Sequence, residues 1–302
     1  MSSDAPIGVF DSGIGGLTVV GEMIRLMPFE NMVYVGDHAR CPYGDKDASQ
    51  VRQYAREICD FFMSLHVKLM VVACNTATAV ALDDLRARYD VPVLGVVVPG
   101  AEAAVQSTHN RKIGVIATQL TTESGVYKDA IHERMKDATI IGQACPTFVP
   151  MVERGEWSGP SVEAEVRRSL EPLLTHGLDT LILGCTHYPM LESVIRSQIP
   201  NSMKIVSSAT AMAESVHRFL TSAGLLRDCP QVGGVQHDFY TTGNPASMSH
   251  ALETWLSRRP EEARVITLRT AQDGPTTLGT EVETSHDGSV YCVSKSPQSP
   301  RV

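Results

Sequence analysis

Two cysteines, Cys74 and Cys185, each stand where a short apolar run gives way to small polar residues. Val71-Val72-Ala73 leads into Cys74-Asn75-Thr76, and Leu181-Ile182-Leu183-Gly184 leads into Cys185-Thr186-His187. In open α/β sheets ligands bind at the carboxyl ends of the strands, which is where such residues fall. A lone buried cysteine is ordinarily a small core hydrophobe. Two in matching positions of two matching segments suit a reaction that needs the same group on opposite faces of one carbon. Inversion of a stereocentre is such a reaction: one thiolate removes the proton and a thiol on the other face delivers one. A free thiol titrates near pH 8.5 and is only a few per cent ionised at neutrality, so each needs local tuning. Asp11 could accept a proton from one thiol, and His187 could act on the other. A positioned acid–base partner is typically worth about 10²–10⁴ in rate.

The loop Asp11-Ser12-Gly13-Ile14-Gly15-Gly16-Leu17 follows one apolar run and opens a helical segment. Its glycines permit a tight turn and exposed N–H groups, which suits an anion. The spacing is not GxGxxG and no Walker lysine follows, so a substrate carboxylate fits better than a nucleotide phosphate. A turn needed only for helix–strand packing is the plainer reading. Three rivals to the two-thiol chemistry stay open on residues alone. Cys185 with His187 could be half of a nucleophile pair for acyl transfer, although strand neighbours point to opposite faces unless the backbone bends. His38, Cys41, Cys185 and His187 could hold zinc, although their spacing matches no common zinc motif. A two-lobed amino-acid binder without catalysis would leave the paired cysteines idle.

Positioning such groups calls for strands and helices in alternation. Ile7–Phe10, Met32–Val35, Leu69–Ala73, Val93–Val98, Ile113–Ala117, Thr139–Ile141, Leu181–Leu183 and Lys204–Val206 read as short strands covered on both faces, as parallel strands are. Between them, Gln50–His66 and the segments around Val162–Leu173 and Met212–Phe219 carry apolar residues at helical spacing. The pattern predicts an α/β fold of two pseudo-symmetric lobes, each a mostly parallel sheet flanked by helices, with the active site in the cleft between them. A weak repeat supports two lobes: Ile7-Gly8-Val9 recurs as Ile113-Gly114-Val115, and the Cys74 segment is echoed by the Cys185 segment. The crossover falls near Val98–Pro99 and the return near Val206–Ser208. The first lobe is then residues 1–98 plus 208–268 and the second 99–207. From 269 to 302 the chain is rich in Thr, Ser, Gly, Asp and Pro without periodicity, and reads as a disordered tail.

Composition narrows the partners. The chain has 302 residues, 43% of them hydrophobic and 20% charged, enough for a sizeable core. Its formal net charge of −8, with no Lys/Arg-rich run, argues against nucleic acid or an anionic membrane as a partner. Met1–Pro6 is short and polar, and no apolar stretch approaches the roughly 18 residues of a membrane span, so a cytoplasmic protein is expected. Seven cysteines without a CxxC pair read as free thiols of a reducing compartment.

Beyond these features, the motifs resemble the glutamate racemases, cofactor-independent members of the aspartate/glutamate racemase group. The matching stretches are Phe10–Leu17, Gly36–Gly44, Ala73–Ala77, Val98–Ala101, Cys145–Pro150 followed by Glu153, and Gly184–Pro189, in the family's order from about residue 7 to 245. The resemblance implies two lobes with glutamate between them and a small-molecule reaction without metal or other cofactor. It makes Cys74 the base for D-glutamate and Cys185 the base for L-glutamate, with Asp11 assisting Cys74 and His187 assisting Cys185. It gives Ser12, Pro42, Tyr43, Gly44, Asn75, Thr76, Thr118, Thr121 and Thr186 to substrate binding, and places Asp37 and Glu153 near the site. The product D-glutamate would feed peptidoglycan, and a homodimer is expected. A racemase for aspartate or another acidic amino acid is the alternative; aspartate racemases tend to carry an acidic residue after the Cys-Thr pair, where this chain has His187. Two departures stand out: Ser207-Ser208 replaces a common Asp-Ser, and the tail with Cys292 has no counterpart in the family's core.

Overall fold

The computed structural model describes residues 2–229 and 234–256, with the backbone of 264–267, 280–283 and 290–293. All eight apolar runs form strands: β1 Ile7–Asp11, β2 Met32–Gly36, β3 Leu69–Val72, β4 Val93–Gly95, β5 Lys112–Ala117, β6 Thr139–Ala144, β7 Thr180–Gly184 and β8 Lys204–Ser207. A ninth, β9 His237–Thr241, and a tenth, β10 Arg264–Thr267, join the first sheet. That sheet runs β10-β9-β2-β1-β3-β4 and the second β6-β5-β7-β8, with parallel pairing throughout both. Every residue of β1, β2, β3 and β7 is buried, which explains their unbroken apolar character.

The two sheets share one wiring. The order β2-β1-β3-β4 in the first is repeated as β6-β5-β7-β8 in the second. Cys74 follows β3 and Cys185 follows β7, the equivalent strands, so the sequence echo is a topological one. In each sheet the chain reverses direction of winding beside the central strand, and the carboxyl edge at that switch point is where open α/β sheets bind ligands.

The chain leaves β4 through the helix Val97–Ser107 and returns from β8 through the helix Ser208–Ser222, and these two helices pack on each other. One expectation is corrected here: Val96–Val98 does not extend β4 but starts that helix. Pro99 lies in the helix's first turn, where its missing N–H and fixed φ cost little, and a short apolar run does not separate strand from buried helix. The expected helices occur as Ala48–Ser64, Pro160–Leu174 and Ser208–Ser222. In the stretch 269–302, which was expected to lack order, Thr280–Glu283 pairs antiparallel with Val290–Val293, and the remainder lies outside the described residues. Among the described residues no helix is long and apolar enough to cross a membrane.

Candidate active site

The carboxyl edges of the two sheets enclose a small cavity lined by Ser12, Pro42, Tyr43, Gly44, Cys74, Asn75, Thr76, Thr118, Val149, Cys185, Thr186 and His187. Both thiols line it, one from each sheet, and both are buried. Its free volume of about 10 Å³ is far below the roughly 300–1,000 Å³ of drug-sized sites, so it stands nearly closed. The lining contains no Lys or Arg, so apart from His187 an anion here would be held by neutral donors.

Cys74 caps the helix Asn75–Arg88, its Sγ accepting the Ala77 N–H at 3.4 Å. Its Sγ also lies 3.8 Å from Ser12 Oγ. Burial pushes the Cys74 thiol well above its ordinary pKa, and the Asp11 charge adds to the rise; the Ala77 amide and Ser12 oppose it. The result is a thiol protonated at rest that becomes a strong base once ionised.

Beyond Gly184 the backbone bends, with Tyr188 N–H donating to Cys185 O at 3.2 Å. That bend brings His187 Nδ1 to 3.9 Å from Cys185 Sγ. The other ring nitrogen, Nε2, lies 2.6 Å from Glu153 Oε1, and Glu153 Oε2 lies 3.1 Å from His38 Nε2. A chain of groups thus runs Cys185–His187–Glu153–His38. Burial works against a charged His187, but the contacts with Cys185 and Glu153 outweigh it and hold the imidazole pKa well above its usual value. Glu153 is the mirror case: burial would raise it, and the bonds to His187 and His38 depress it far below the carboxylate range. Its carboxylate is therefore no surface charge at a helix end but the anchor of an imidazole.

Asp11, fully buried, accepts from Gly13 N–H at 3.2 Å and from Thr186 Oγ1 at 3.1 Å. It does not line the cavity, and burial raises its own pKa. Its influence on Cys74 is exerted through its charge. Of the glycine loop, Ser12 lines the cavity, while Gly13, Gly15 and Gly16 stand behind it. The glycines serve close approach instead. A Cβ on Gly15 would fall 2.4 Å from His187 Nδ1 and 2.5 Å from Thr186 Oγ1, and one on Gly16 would fall 2.5 Å from Asp11 Cβ. The loop of one sheet lies directly against the Cys-Thr-His turn of the other.

Across the cavity, Thr76 Oγ1 lies 2.9 Å from Thr118 Oγ1 and 3.1 Å from Thr121 Oγ1, so three hydroxyls from both lobes share one network. Thr121 supports this network from behind the lining. Tyr127 donates to Asn75 Oδ1 at 2.6 Å, while Asn75 Nδ2 is buried without a partner among the described residues. A buried donor left unpaired costs about 1–3 kcal/mol, so it favours an acceptor arriving in the cavity. Asp37 stands apart from the cavity. It accepts from the Tyr43 hydroxyl, from Arg40 Nε at 2.7 Å and from Thr242 Oγ1 at 2.7 Å, so it fixes the Pro42-Tyr43-Gly44 turn rather than meeting a ligand.

Of the residues named from sequence, both cysteines, Ser12, Pro42, Tyr43, Gly44, Asn75, Thr76, Thr118, Thr186 and His187 reach the cavity, and Asp11, Asp37, Thr121 and Glu153 lie one contact behind it. The sequence reading did not single out Val149 in the lining, Tyr127 behind Asn75, or Trp255, whose ring stands edge-on to His187 at 6.5 Å. Only Val149 carried a signal, lying inside a quoted motif.

The profile of the Asp/Glu/Hydantoin racemase family matches residues 16–216. A glutamate racemase of Oceanobacillus iheyensis is 46% identical over 242 residues, covering 80% of this chain and 88% of the relative. Among solved structures, a glutamate racemase of Bacillus anthracis superposes with a TM-score of 0.82 at 41% identity, covering 85% of this chain and 96% of that one. A glutamate racemase of Francisella tularensis, solved in complex with D-glutamate, gives 0.81 at 30% identity, covering 88% and 98%.

Proposed function

Since the chain belongs to the Asp/Glu/Hydantoin racemase family, we propose that it interconverts L- and D-glutamate by moving the α-proton between Cys74 and Cys185. One observation carries this reading. Two buried thiols, from equivalent strands of two like sheets, line a single small cavity, each with its own titratable neighbour.

D-glutamate would lie with its α-carbon between the two sulfurs. The Cys74 thiolate takes the α-proton from one face, leaving a planar carbanion conjugated with the carboxylate. The Cys185 thiol gives its proton to the other face, and L-glutamate results. In the reverse direction Cys185 removes the proton and Cys74 delivers it. Each turnover leaves Cys74 protonated and Cys185 ionised, or the converse, so the pair is reset by exchange with neighbouring groups. His187, held by Glu153 and close to Cys185, is placed to stabilise that thiolate and return its proton. The pooled donors, Asn75 Nδ2 with the hydroxyls of Ser12, Thr76 and Thr118, would hold the carboxylates. The product in this reading is D-glutamate for peptidoglycan.

Incubation with L-glutamate in D₂O tests the reading directly. Optical rotation should decay to zero while deuterium enters the α-position of the product. Decay of rotation without deuterium incorporation, or no decay at all, would refute it.

A further inference from the structure

A third thiol lies outside the substrate cavity on the far side of His187. Cys41 Sγ, Glu153 Oε1 and His187 Nε2 lie within 4.8 Å of one another. They come from three separate segments: the loop after β2, the end of the helix Phe148–Glu153, and the turn after β7. Gly13 keeps the space between them open. A Cβ there would fall 2.7 Å from Glu153 Oε1 and 3.1 Å from Cys41 Sγ.

The donor set is a thiol, a carboxylate and an imidazole. That mixture selects zinc and similar borderline cations over magnesium or calcium, which take oxygen ligands. We propose that Cys41, Glu153 and His187 bind a thiophilic divalent cation such as Zn²⁺, and that the bound ion switches the enzyme off by fixing the proton of His187 beside Cys185. The switching half rests on the functional reading above; the binding half stands on geometry alone.

Tetrahedral zinc with ligands at about 2.0–2.3 Å places those ligand atoms about 3.3–3.6 Å apart. Cys41 Sγ and Glu153 Oε1 stand 3.8 Å apart, close to that spacing. Glu153 Oε1 and His187 Nε2, at 2.6 Å, must part by less than an ångström as their hydrogen bond is exchanged for two metal bonds. His38 on Glu153 Oε2 holds the carboxylate while this happens, as partners behind metal ligands commonly do. Binding displaces the Cys41 thiol proton and any proton on His187 Nε2, both to solvent. Burial and the Glu153 charge keep the free Cys41 thiol protonated, and the charge of the ion reverses that preference. Cys41 and Glu153 are partly exposed and absent from the cavity lining, so the ion enters without crossing the substrate site. With Nε2 on the metal the imidazole keeps its remaining proton on Nδ1, 3.9 Å from Cys185 Sγ, and can take up no second one, so it can no longer accept and return the Cys185 proton. Glutamate would still bind, so zinc should lower kcat and leave KM nearly unchanged.

The test is cobalt titration of the full chain after chelator treatment, read by absorbance. A thiolate-to-cobalt charge-transfer band and tetrahedral visible bands should grow to one ion per chain. Cys41→Ser, or Cys41→Ala if the serine variant misfolds, should abolish the charge-transfer band and weaken binding by about 10–100-fold. Cys74→Ser and Cys185→Ser should keep it. In parallel, Zn²⁺ should inhibit the wild type reversibly, and Cys41→Ser should need correspondingly more zinc. Absence of the bands at millimolar cobalt overturns the site. So does a band that survives in Cys41→Ser and vanishes in Cys74→Ser or Cys185→Ser, because the ion then bridges the cavity thiols. A band with no effect of zinc on kcat overturns the switch. If the chain fails to racemise glutamate, the spectra still decide the site.

Discussion

Thr186 Oγ1 donates a 3.1 Å hydrogen bond to Asp11 Oδ1, joining the carboxyl edge of the second sheet to that of the first. Both groups are buried, and the bond is a direct polar link from the turn after Cys185 to the end of β1, the strand beside the one that leads to Cys74. Replacing Thr186 with Val keeps the shape but leaves a buried carboxylate oxygen without its donor, at a cost of about 1–3 kcal/mol. Thermal unfolding should show a Tm several degrees lower in Thr186→Val and nearly restored in Thr186→Ser. An unchanged Tm in the valine variant would mean that Asp11 is protonated or rearranges freely.

The sequence made this link's two ends visible but not the link. β1 and β7 were legible because strands buried on both faces must be apolar throughout, and the cysteines were legible because each breaks such a run. β9 was not: His237-Asp238 begins it with polar residues, and its place beside β2 depends on a chain return about 200 residues later. The pairing of His187 with Glu153 was likewise hidden, since the two are brought together by packing of the helix Phe148–Glu153 and not by any spacing. Asp37 shows the opposite failing. Its position beside the Pro42-Tyr43-Gly44 turn was plain, but only the partners Tyr43, Arg40 and Thr242 reveal a structural anchor.

The Glu153–His187 pair gives stability a defined pH window. Glu153 is held below its ordinary 4.5, so its contribution is complete above about pH 4.5 and fades as pH falls through the depressed folded value. His187 is held above its ordinary 6.5, so its contribution is complete below about pH 6.5 and fades as pH rises through the elevated folded value. Glu153→Gln should therefore lose most stability relative to wild type between about pH 4.5 and 6.5, by about 1.5–3 kcal/mol, the range of hydrogen bonds to charged groups. Denaturant midpoints at several pH values would check this. A gap that widens steadily above pH 7 would contradict the charged pair.

Loss of either cavity thiol should abolish racemisation while sparing half of the chemistry. Cys74→Ser and Cys185→Ser should each fall by several orders of magnitude, because a serine hydroxyl is far too weakly acidic to replace a thiolate. Cys59, buried behind the first sheet in the apolar core, is a fitting control: Cys59→Ala should retain activity. Each cavity variant keeps one competent base, so each should eliminate a leaving group from one enantiomer of an N-hydroxy glutamate analogue. Processing of the same enantiomer by both variants would show that the thiols do not face opposite sides of the α-carbon.

The roles of Asp11 and His187 separate by isotope effects and not by rates. The two enantiomers have equal free energy, so kcat/KM must be equal in both directions for every variant. What can differ is which proton transfer limits the rate. At the planar intermediate both thiols carry a proton, and the product depends on which returns its proton sooner. Removing His187 takes away the group placed to exchange a proton with Cys185, so the transfer at Cys185 becomes the slower step. His187→Asn should then enlarge the α-deuterium effect with labelled L-glutamate, whose proton Cys185 takes, and shrink it with labelled D-glutamate. Asp11 acts on Cys74 by charge, raising its pKa without a hydrogen bond to the sulfur. In Asp11→Asn the Cys74 thiol becomes the better acid and its step the less limiting. That variant too should therefore enlarge the effect with labelled L-glutamate and reduce it with labelled D-glutamate. The opposite outcome for Asp11→Asn, a larger effect with labelled D-glutamate, would mean that Asp11 takes the Cys74 proton directly once substrate is bound. Equal changes for both enantiomers in both variants would assign both residues to holding the substrate.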